Sequence, residues 1–186
     1  MTAGNLHVQG GDAKGRRLVA PKGIRPTQGL VREAIFNSLD SRVDQAQVLD
    51  LFAGSGALGI EALSRGAAHT TFVEDQDSSL EAIRRNLRTL GYEDRGTVQR
   101  LEVTRWLRTH LDEVKAASLV LVDPPYNDPV LDRALTLLDG LLGEGATVVV
   151  ERATRRPALA SFPNLRQSRE RRYGDTLLTF YVVGPG

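Results

Sequence analysis

The amino-acid sequence predicts an α/β protein: a doubly wound, mostly parallel sheet of seven strands with an antiparallel C-terminal hairpin and a small N-terminal hairpin and helix. Three observations carry this expectation. Between residues 47 and 151, short strand-like runs alternate with stretches of helical periodicity. The runs at 119–122 and 146–151 are apolar almost throughout, as strands buried on both faces must be. The runs at 165–173 and 176–183 are separated only by a tight Gly174-Asp175 link, which forces them antiparallel.

In order along the chain, residues 6–9 and 16–19 read as two short strands joined around Gly10-Gly11-Asp12. Pro26-Thr27 opens a helix that Thr27 caps, with Leu30, Val31, Ala34, Ile35 and Leu39 at helical spacing. Strand 48–52 precedes helix 57–66, and strand 70–74 precedes a helix opened by the capping box Ser78-Ser79-Leu80-Glu81. That helix places Leu80, Ile83, Leu87 and Leu90 on one face and stops at Gly91. Strand 98–101, helix 104–113, strand 119–123, helix 129–142 and strand 146–151 complete the alternation.

A length of 186 residues suits one domain with a short appendage, here divided into 1–42 and 43–186. With 41% hydrophobic and 25% charged residues, neither disorder nor a fibrous repeat is indicated. No run approaches the ~18 apolar residues of a membrane helix, and the N-terminus has no signal-peptide pattern. The absence of cysteine excludes disulfides, thiolate catalysis and Cys-ligated metals, and leads us to expect a cytoplasmic protein. His7, His69 and His110 lie far apart, so no metal is expected. A net charge of +1 conceals segregation: residues 1–42 carry +4, residues 43–151 carry −8, and residues 152–186 carry +5. Two basic ends around an acidic middle suit a polyanion if they share a side, and otherwise are scattered solvated faces.

Three motifs carry chemistry. The first is Asp50-Leu51-Phe52-Ala53-Gly54-Ser55-Gly56-Ala57-Leu58-Gly59, where small residues after a buried strand let backbone approach a ligand and a helix N-terminus follows. The second is Glu74, 18 residues beyond Gly56, an acid at the next strand end that can accept ribose hydroxyls. NAD and S-adenosylmethionine both carry such a ribose, so this pair leaves the cofactor open. The third is Asp123-Pro124-Pro125-Tyr126 after the apolar strand. Asp123 supplies an acceptor, the prolines stiffen the turn and leave carbonyls free, and Tyr126 offers a ring for a flat base. Together they form a clamp for the exocyclic amine of a purine. Hydrogen bonds that draw that nitrogen toward tetrahedral geometry localise its lone pair for attack on a methyl group.

These residues resemble a class I S-adenosylmethionine-dependent methyltransferase acting on a nucleobase amine. Gly10-Gly11, Gly15-Arg16-Arg17-Leu18, Arg25-Pro26-Thr27, residues 31–37, residues 58–67 and Tyr173-Gly174-Asp175-Thr176 are similar to the signatures of the RsmD family. The resemblance implies methyl transfer to the 2-amino group of a guanine in bacterial 16S rRNA, free or in a small-subunit assembly intermediate, by a monomer that needs neither metal nor membrane. It implies that Asp50 and the turn Gly54-Ser55-Gly56 hold the methionine end, that Glu74 meets the ribose, that Glu102 or the Val103 backbone meets the adenine, and that Phe52, Ala53 and Asp75 also contact the cofactor. The family commonly has Asp where this chain has Glu102. Asp123, Pro124, Pro125 and Tyr126 are then the catalytic set, with Asp123 also beside the cofactor. Arg16, Arg17, Lys22 and Arg25 of the N-terminal segment are expected to contact RNA, as are Arg169 and Arg171. On a regular strand those two share a face, with Arg166 and Arg172 on the other. The N-terminal hairpin is expected to lie outside the α/β core. Rivals are an adenine-amine methyltransferase on DNA, an NAD-dependent oxidoreductase supported by the glycine fingerprint alone, and a non-catalytic RNA-binding module.

Overall fold

The strand-like runs assemble into one sheet in the computed structural model, which describes residues 6–21, 29–125, 129–155 and 161–185. In chain order the strands are β1 (Gln47–Leu51), β2 (His69–Glu74), β3 (Gly96–Arg100), β4 (Leu119–Val122), β5 (Thr147–Ala153), β6 (Leu165–Tyr173) and β7 (Thr176–Val183). Their spatial order is β3-β2-β1-β4-β5-β7-β6. The first five are mutually parallel, and β7 inserts antiparallel between β5 and the edge strand β6. The order reverses between β1 and β4, which opens a crevice at their C-terminal ends.

Alternation along each strand divides the core between two faces. Val48, Phe72, Leu121, Val149 and Leu178 pack with residues of α1 (Gly29–Leu39), α2 (Ala57–Ser64) and α3 (Asp77–Leu90). Leu49, Leu51, Val73, Val120 and Val150 pack with α4 (Val103–Thr109), α5 (Leu111–Ala116) and α6 (Val130–Leu141).

Several elements depart from expectation. Strand β1 stops at Leu51 because Phe52 takes a left-handed backbone, φ 62°. Helix α3 begins at Asp77 with Gln76 as its N-cap, so the Ser78–Glu81 pair forms no capping box and Ser79 is buried in the first turn. The single helix expected over 104–113 is two, broken at His110 (φ −119°, ψ 54°), whose ring stacks on the buried Trp106 at 4.9 Å. A register shift between Gln167 and Arg169 bulges β6, and the Ser168 hydroxyl donates to the Phe180 carbonyl at 3.1 Å. The bulge changes the side-chain parity, so Arg166 joins Arg169 and Arg171 on one face instead of joining Arg172.

The N-terminal segment is also corrected. It pairs through a single bridge, His7 with Arg17, in place of two strands. It does not lie outside the core: Leu6, Val8, Ala13 and Leu18 are buried with Ile35, Phe36 and Leu63. Gly10-Gly11 presses on the end of α2, where the Ser64 hydroxyl donates to the Gly10 carbonyl (2.6 Å) and accepts from the Ala13 N–H (2.9 Å). Gly11 has φ +78°, and a Cβ there would stand 1.8 Å from the Ser64 carbonyl oxygen, so only glycine fits. The Thr27 cap lies outside the described residues.

Because this segment shares the core, Leu18→Ala should destabilise the whole protein by about 2–5 kcal/mol. The check is urea unfolding followed by circular dichroism: one cooperative transition at lower urea is expected, and an unshifted main transition would contradict it.

Candidate active site

The crevice rim is built from residues at one level of neighbouring strands. Leu51 of β1 registers with Val73 of β2 and Val122 of β4, and Val122 registers with Val150 of β5. One residue further on, the rim carries Glu74, Phe52, Asp123 and Glu151. Three of these four are acids, and Asp50 lies beneath them.

Asp50 is 1% exposed. Its Oδ2 accepts from the Gly59 N–H at 2.9 Å, near the start of α2, where the helix dipole favours negative charge. A Cβ on residue 59 would stand 2.3 Å from Phe72 and 2.8 Å from that carboxylate, so glycine is what lets α2 reach Asp50. Burial pushes the Asp50 carboxyl well above the usual carboxylate range. The Gly59 hydrogen bond opposes this, and the charges of Asp123 and Glu74 add to the rise.

The loop between β1 and α2 is shaped by three left-handed residues, Phe52 (φ 62°), Gly54 (φ 54°) and Gly56 (φ 75°). A bulky residue such as Phe52 in that region is strained, and such strain clusters at functional sites. The loop is closed from within: the Ala53 N–H donates to Val73, and the Gly56 N–H donates to the Ala53 carbonyl at 2.7 Å. Glu74 closes it from outside, with Oε2 accepting from the Gly54 N–H at 2.8 Å. Its Oε1 accepts from the Asp75 and Gln76 N–H groups at 2.9 and 3.0 Å. Three of about four acceptor positions are therefore used. Glu74 has room for one ribose hydroxyl while it keeps the loop closed, and taking both requires release of a backbone bond.

Glu102 does different work from that expected. It is the N-cap of α4, with Oε1 accepting from the Thr104 N–H and Oε2 from the Arg105 N–H and Thr104 hydroxyl, at 2.7–2.9 Å. Burial works to raise its pKa, but the Thr104 and Arg105 hydrogen bonds and the Arg108 charge outweigh it and hold the carboxyl below its ordinary value. Val103 buries its side chain, and as the first residue of α4 its N–H has no acceptor a turn back. Asp123 is half-buried, Pro124 is buried and Pro125 is exposed at the end of β4. Tyr126, Lys22 and Arg25 lie outside the described residues.

The structure thus brings Asp50, residues 52–56, Glu74, Asp75, Glu102, Val103, Asp123 and Pro124 to the C-terminal ends of the parallel strands β1–β4. Arg16 lies elsewhere: it donates to the Thr89 carbonyl at 3.0 Å, at the end of α3 remote from the crevice, and Arg17 sits on the same turn. Arg169 and Arg171 lie on the edge strand β6.

Sequence reasoning missed four buried polar residues. Asn86 donates to the carbonyls of Val19 (2.9 Å) and Ser55 (3.1 Å) and accepts from the Val19 N–H (2.8 Å). It ties the N-terminal segment to the glycine loop. Arg32 donates to the His7 carbonyl at 2.9 Å, and burial lowers its pKa against the opposing charges of Glu61 and Glu151. Glu61 also accepts from the Gln9 N–H and from Arg65, both at 2.8 Å. The available signal was a polar residue inside an apolar face: Asn86 among Ile83, Leu87 and Leu90, and Arg32 among Val31, Ile35 and Phe36.

The family model described as conserved hypothetical protein 95 matches residues 6–182. The ribosomal RNA small subunit methyltransferase D of Escherichia coli (strain K12) is 37% identical over 153 residues, covering 80% of this chain and 75% of that protein. The solved structure of yhhF from Escherichia coli is similar at a TM-score of 0.84 and 33% identity, covering 98% of this chain and 100% of its own. An RNA methyltransferase from Salinibacter ruber, solved in complex with S-adenosyl-L-homocysteine, shares the fold at a TM-score of 0.68 and 17% identity, covering 87% of this chain and 95% of its own. The sheet order and these likenesses make this a class I methyltransferase fold, as the sequence resemblance implied.

Two outcomes follow from the geometry. The raised Asp50 pKa means that its contribution to stability is fully present below about pH 4, the unfolded carboxylate range, and is lost as pH rises through the higher folded value. Ligand-free Asp50→Asn should therefore melt above the parent at pH 8, with the gap closing toward pH 4.5 in a thermal-shift series. Asn86→Ala should strip partners from buried backbone groups at a cost of about 1–3 kcal/mol. Chemical denaturation measures that loss.

Proposed function

The chain belongs to the family described as conserved hypothetical protein 95, the RsmD family, and from that premise we propose that it transfers a methyl group from S-adenosyl-L-methionine to the exocyclic 2-amino group of a guanine in bacterial 16S rRNA. The observation that carries the proposal is the gathering of Asp50, Glu74 and Asp123 around the glycine loop. Their mutual repulsion contributes to the raised Asp50 pKa. A cationic ligand relieves that repulsion, whereas the pyrophosphate of a dinucleotide would add to it. This favours S-adenosyl-L-methionine over NAD in a loop whose glycine spacing fits both.

When bound, S-adenosyl-L-methionine supplies a methyl group on a positively charged sulfonium. Asp50 and the 54–56 turn would hold its methionine end, Glu74 and Asp75 its ribose side, and the Val103 backbone its adenine, since the Glu102 carboxylate is used in capping α4. The Asp123 carboxylate and the Pro124 carbonyl accept the two amine hydrogens of the guanine and so aim the nitrogen lone pair. Asp123 also stabilises the positive charge that develops on the nitrogen as the methyl leaves the sulfonium sulfur, and the nitrogen then sheds its extra proton to solvent. Tyr126 stacks the base. Alignment provides most of the acceleration, and no covalent enzyme intermediate is required.

The same amine chemistry would serve an adenine in DNA; the 37% identity to a ribosomal RNA small subunit methyltransferase supports RNA over it. The proposal places the protein in the cytoplasm beside the small subunit or its assembly intermediate. Among the described residues, no helix is long and apolar enough to cross a membrane.

Unmodified small subunits and naked 16S rRNA, methylated with labelled cofactor and mapped by mass, should carry the label on guanine N2. Label on adenine, or no turnover alongside tight RNA binding, would favour a rival. Asp123→Ala should lower kcat at least ~100-fold, by analogy with the loss of one oriented polar group from a site, with S-adenosylhomocysteine affinity within a few-fold. Near-normal kcat would remove Asp123 from its role.

A further inference from the structure

The edge strand β6 presents a row of side chains that catalysis at the crevice does not use. Residues directly opposite on antiparallel strands point to the same face. Arg166 pairs with Val182, Arg169 with Phe180, Arg171 with Leu178 and Tyr173 with Thr176. All four partners are alternate residues of β7, so all four side chains lie on one face. The Ser168 bulge makes this possible, because without it Arg166 would point away. Each of the four is exposed, and Tyr173 at 37% is one of few exposed large apolar side chains among the described residues.

The opposite face of β6 is balanced. Glu170 pairs with Thr179, takes its hydroxyl hydrogen bond at 3.1 Å and meets Arg152 at 3.5 Å. Arg172 donates to the Gly174 carbonyl of its own turn at 3.0 Å. The strand's acid is thus turned away from the arginine row, and among the described residues Arg166, Arg169 and Arg171 form no ion pair.

The row also points toward the site. Ala153, at the crevice end of β5, pairs with Thr176, which pairs with Tyr173. Tyr173 therefore stands at the rim, three strands from β4, about 14 Å at sheet spacing. Arg171 and Arg169 follow at steps of roughly 7 Å down the strand. Cations spaced along one exposed face with an aromatic ring in line suit a single nucleic-acid strand, phosphates on the guanidiniums and a base on the ring.

We infer that the face of β6 bearing Arg166, Arg169, Arg171 and Tyr173 docks the backbone of the substrate RNA and leads it toward the crevice, an inference that rests on the proposed function. It assigns RNA docking to a row that runs from the far end of the sheet, where Arg166 is level with Thr147, up to Tyr173 at the crevice end, and not to Arg16 and Arg17 beside α3. Charge on an edge strand also guards against edge-to-edge pairing, a role that charge of either sign fulfils, so the test must separate the two.

The parent, an Arg166→Gln/Arg169→Gln/Arg171→Gln variant and the matching triple Lys variant are compared for binding to unmodified 16S rRNA and to oligouridylate across a salt series. Melting and S-adenosylhomocysteine affinity are measured in parallel. The Gln variant should bind RNA more weakly, with its log–log salt slope flatter by about 2–3 and cofactor affinity unchanged. The Lys variant should keep the slope. Tyr173→Ala should weaken oligouridylate binding roughly tenfold without moving the slope. A folded Gln variant with unaltered slope and affinity, while the parent still methylates rRNA, overturns this inference alone. A parent that neither binds nor methylates RNA overturns the proposed function as well. Self-association of the Gln variant with RNA affinity intact would assign the row to edge protection instead.

Discussion

A buried carboxylate against a helix start organises this protein. Asp50 ends inside the core, where an ionised group is costly unless it is compensated. Its compensation is the Gly59 N–H at 2.9 Å and the dipole of α2. That contact requires α2 to lie closer to β1 and β2 than any side chain at position 59 permits. With α2 drawn in, the chain between β1 and α2 must turn sharply, and Phe52, Gly54 and Gly56 take left-handed backbones to do so. The open loop at the crevice is thus a consequence of where the buried acid sits.

The electrostatics of the rim and the stability of the fold pull in opposite directions. Asp123 and Glu74 add to the cost of ionising the buried Asp50, so the ligand-free protein holds a cluster of acids around the glycine loop. Such a cluster suits a cation, which is the ligand proposed for it. The acids do not collapse the loop because Glu74 is engaged by three backbone N–H groups, which fix its orientation and the loop together.

The N-terminal segment is a brace for this arrangement. It buries Leu6, Val8 and Leu18 against the helices of one sheet face and is joined to the glycine loop by Asn86, whose amide bonds both Val19 and Ser55. Its basic turn is held at the far end of α3. Among the described residues, Arg16 and Arg17 therefore lie away from the crevice. The C-terminal basic segment lies along the edge strand β6, and its Tyr173 end reaches the level of the rim.

Much of this was legible in the residues themselves. Apolar runs at strand length identified β1, β4 and β5, and the Gly174-Asp175 link identified the β6–β7 pair, because backbone periodicity and turn chemistry are local properties. The position of Asp50, Glu74 and Asp123 at the crevice followed once the strands were parallel, since a doubly wound sheet gathers its strand ends. Local pattern could not show that Glu102 caps α4, because a carboxylate after a strand reads the same whether it meets a ligand or the next helix. Nor could it show the Ser168 bulge, the break at His110, or Arg32 set against the charges of Glu61 and Glu151. The bulge and the Arg32 site depend on pairing between segments distant in sequence, where a shift of one residue reverses a side chain's face and a few ångströms decide which acid a buried cation meets. The sequence by itself determined the sheet, its direction and the acids at its rim; only the tertiary structure decided which of those acids are engaged by backbone N–H groups, and which arginines share a face.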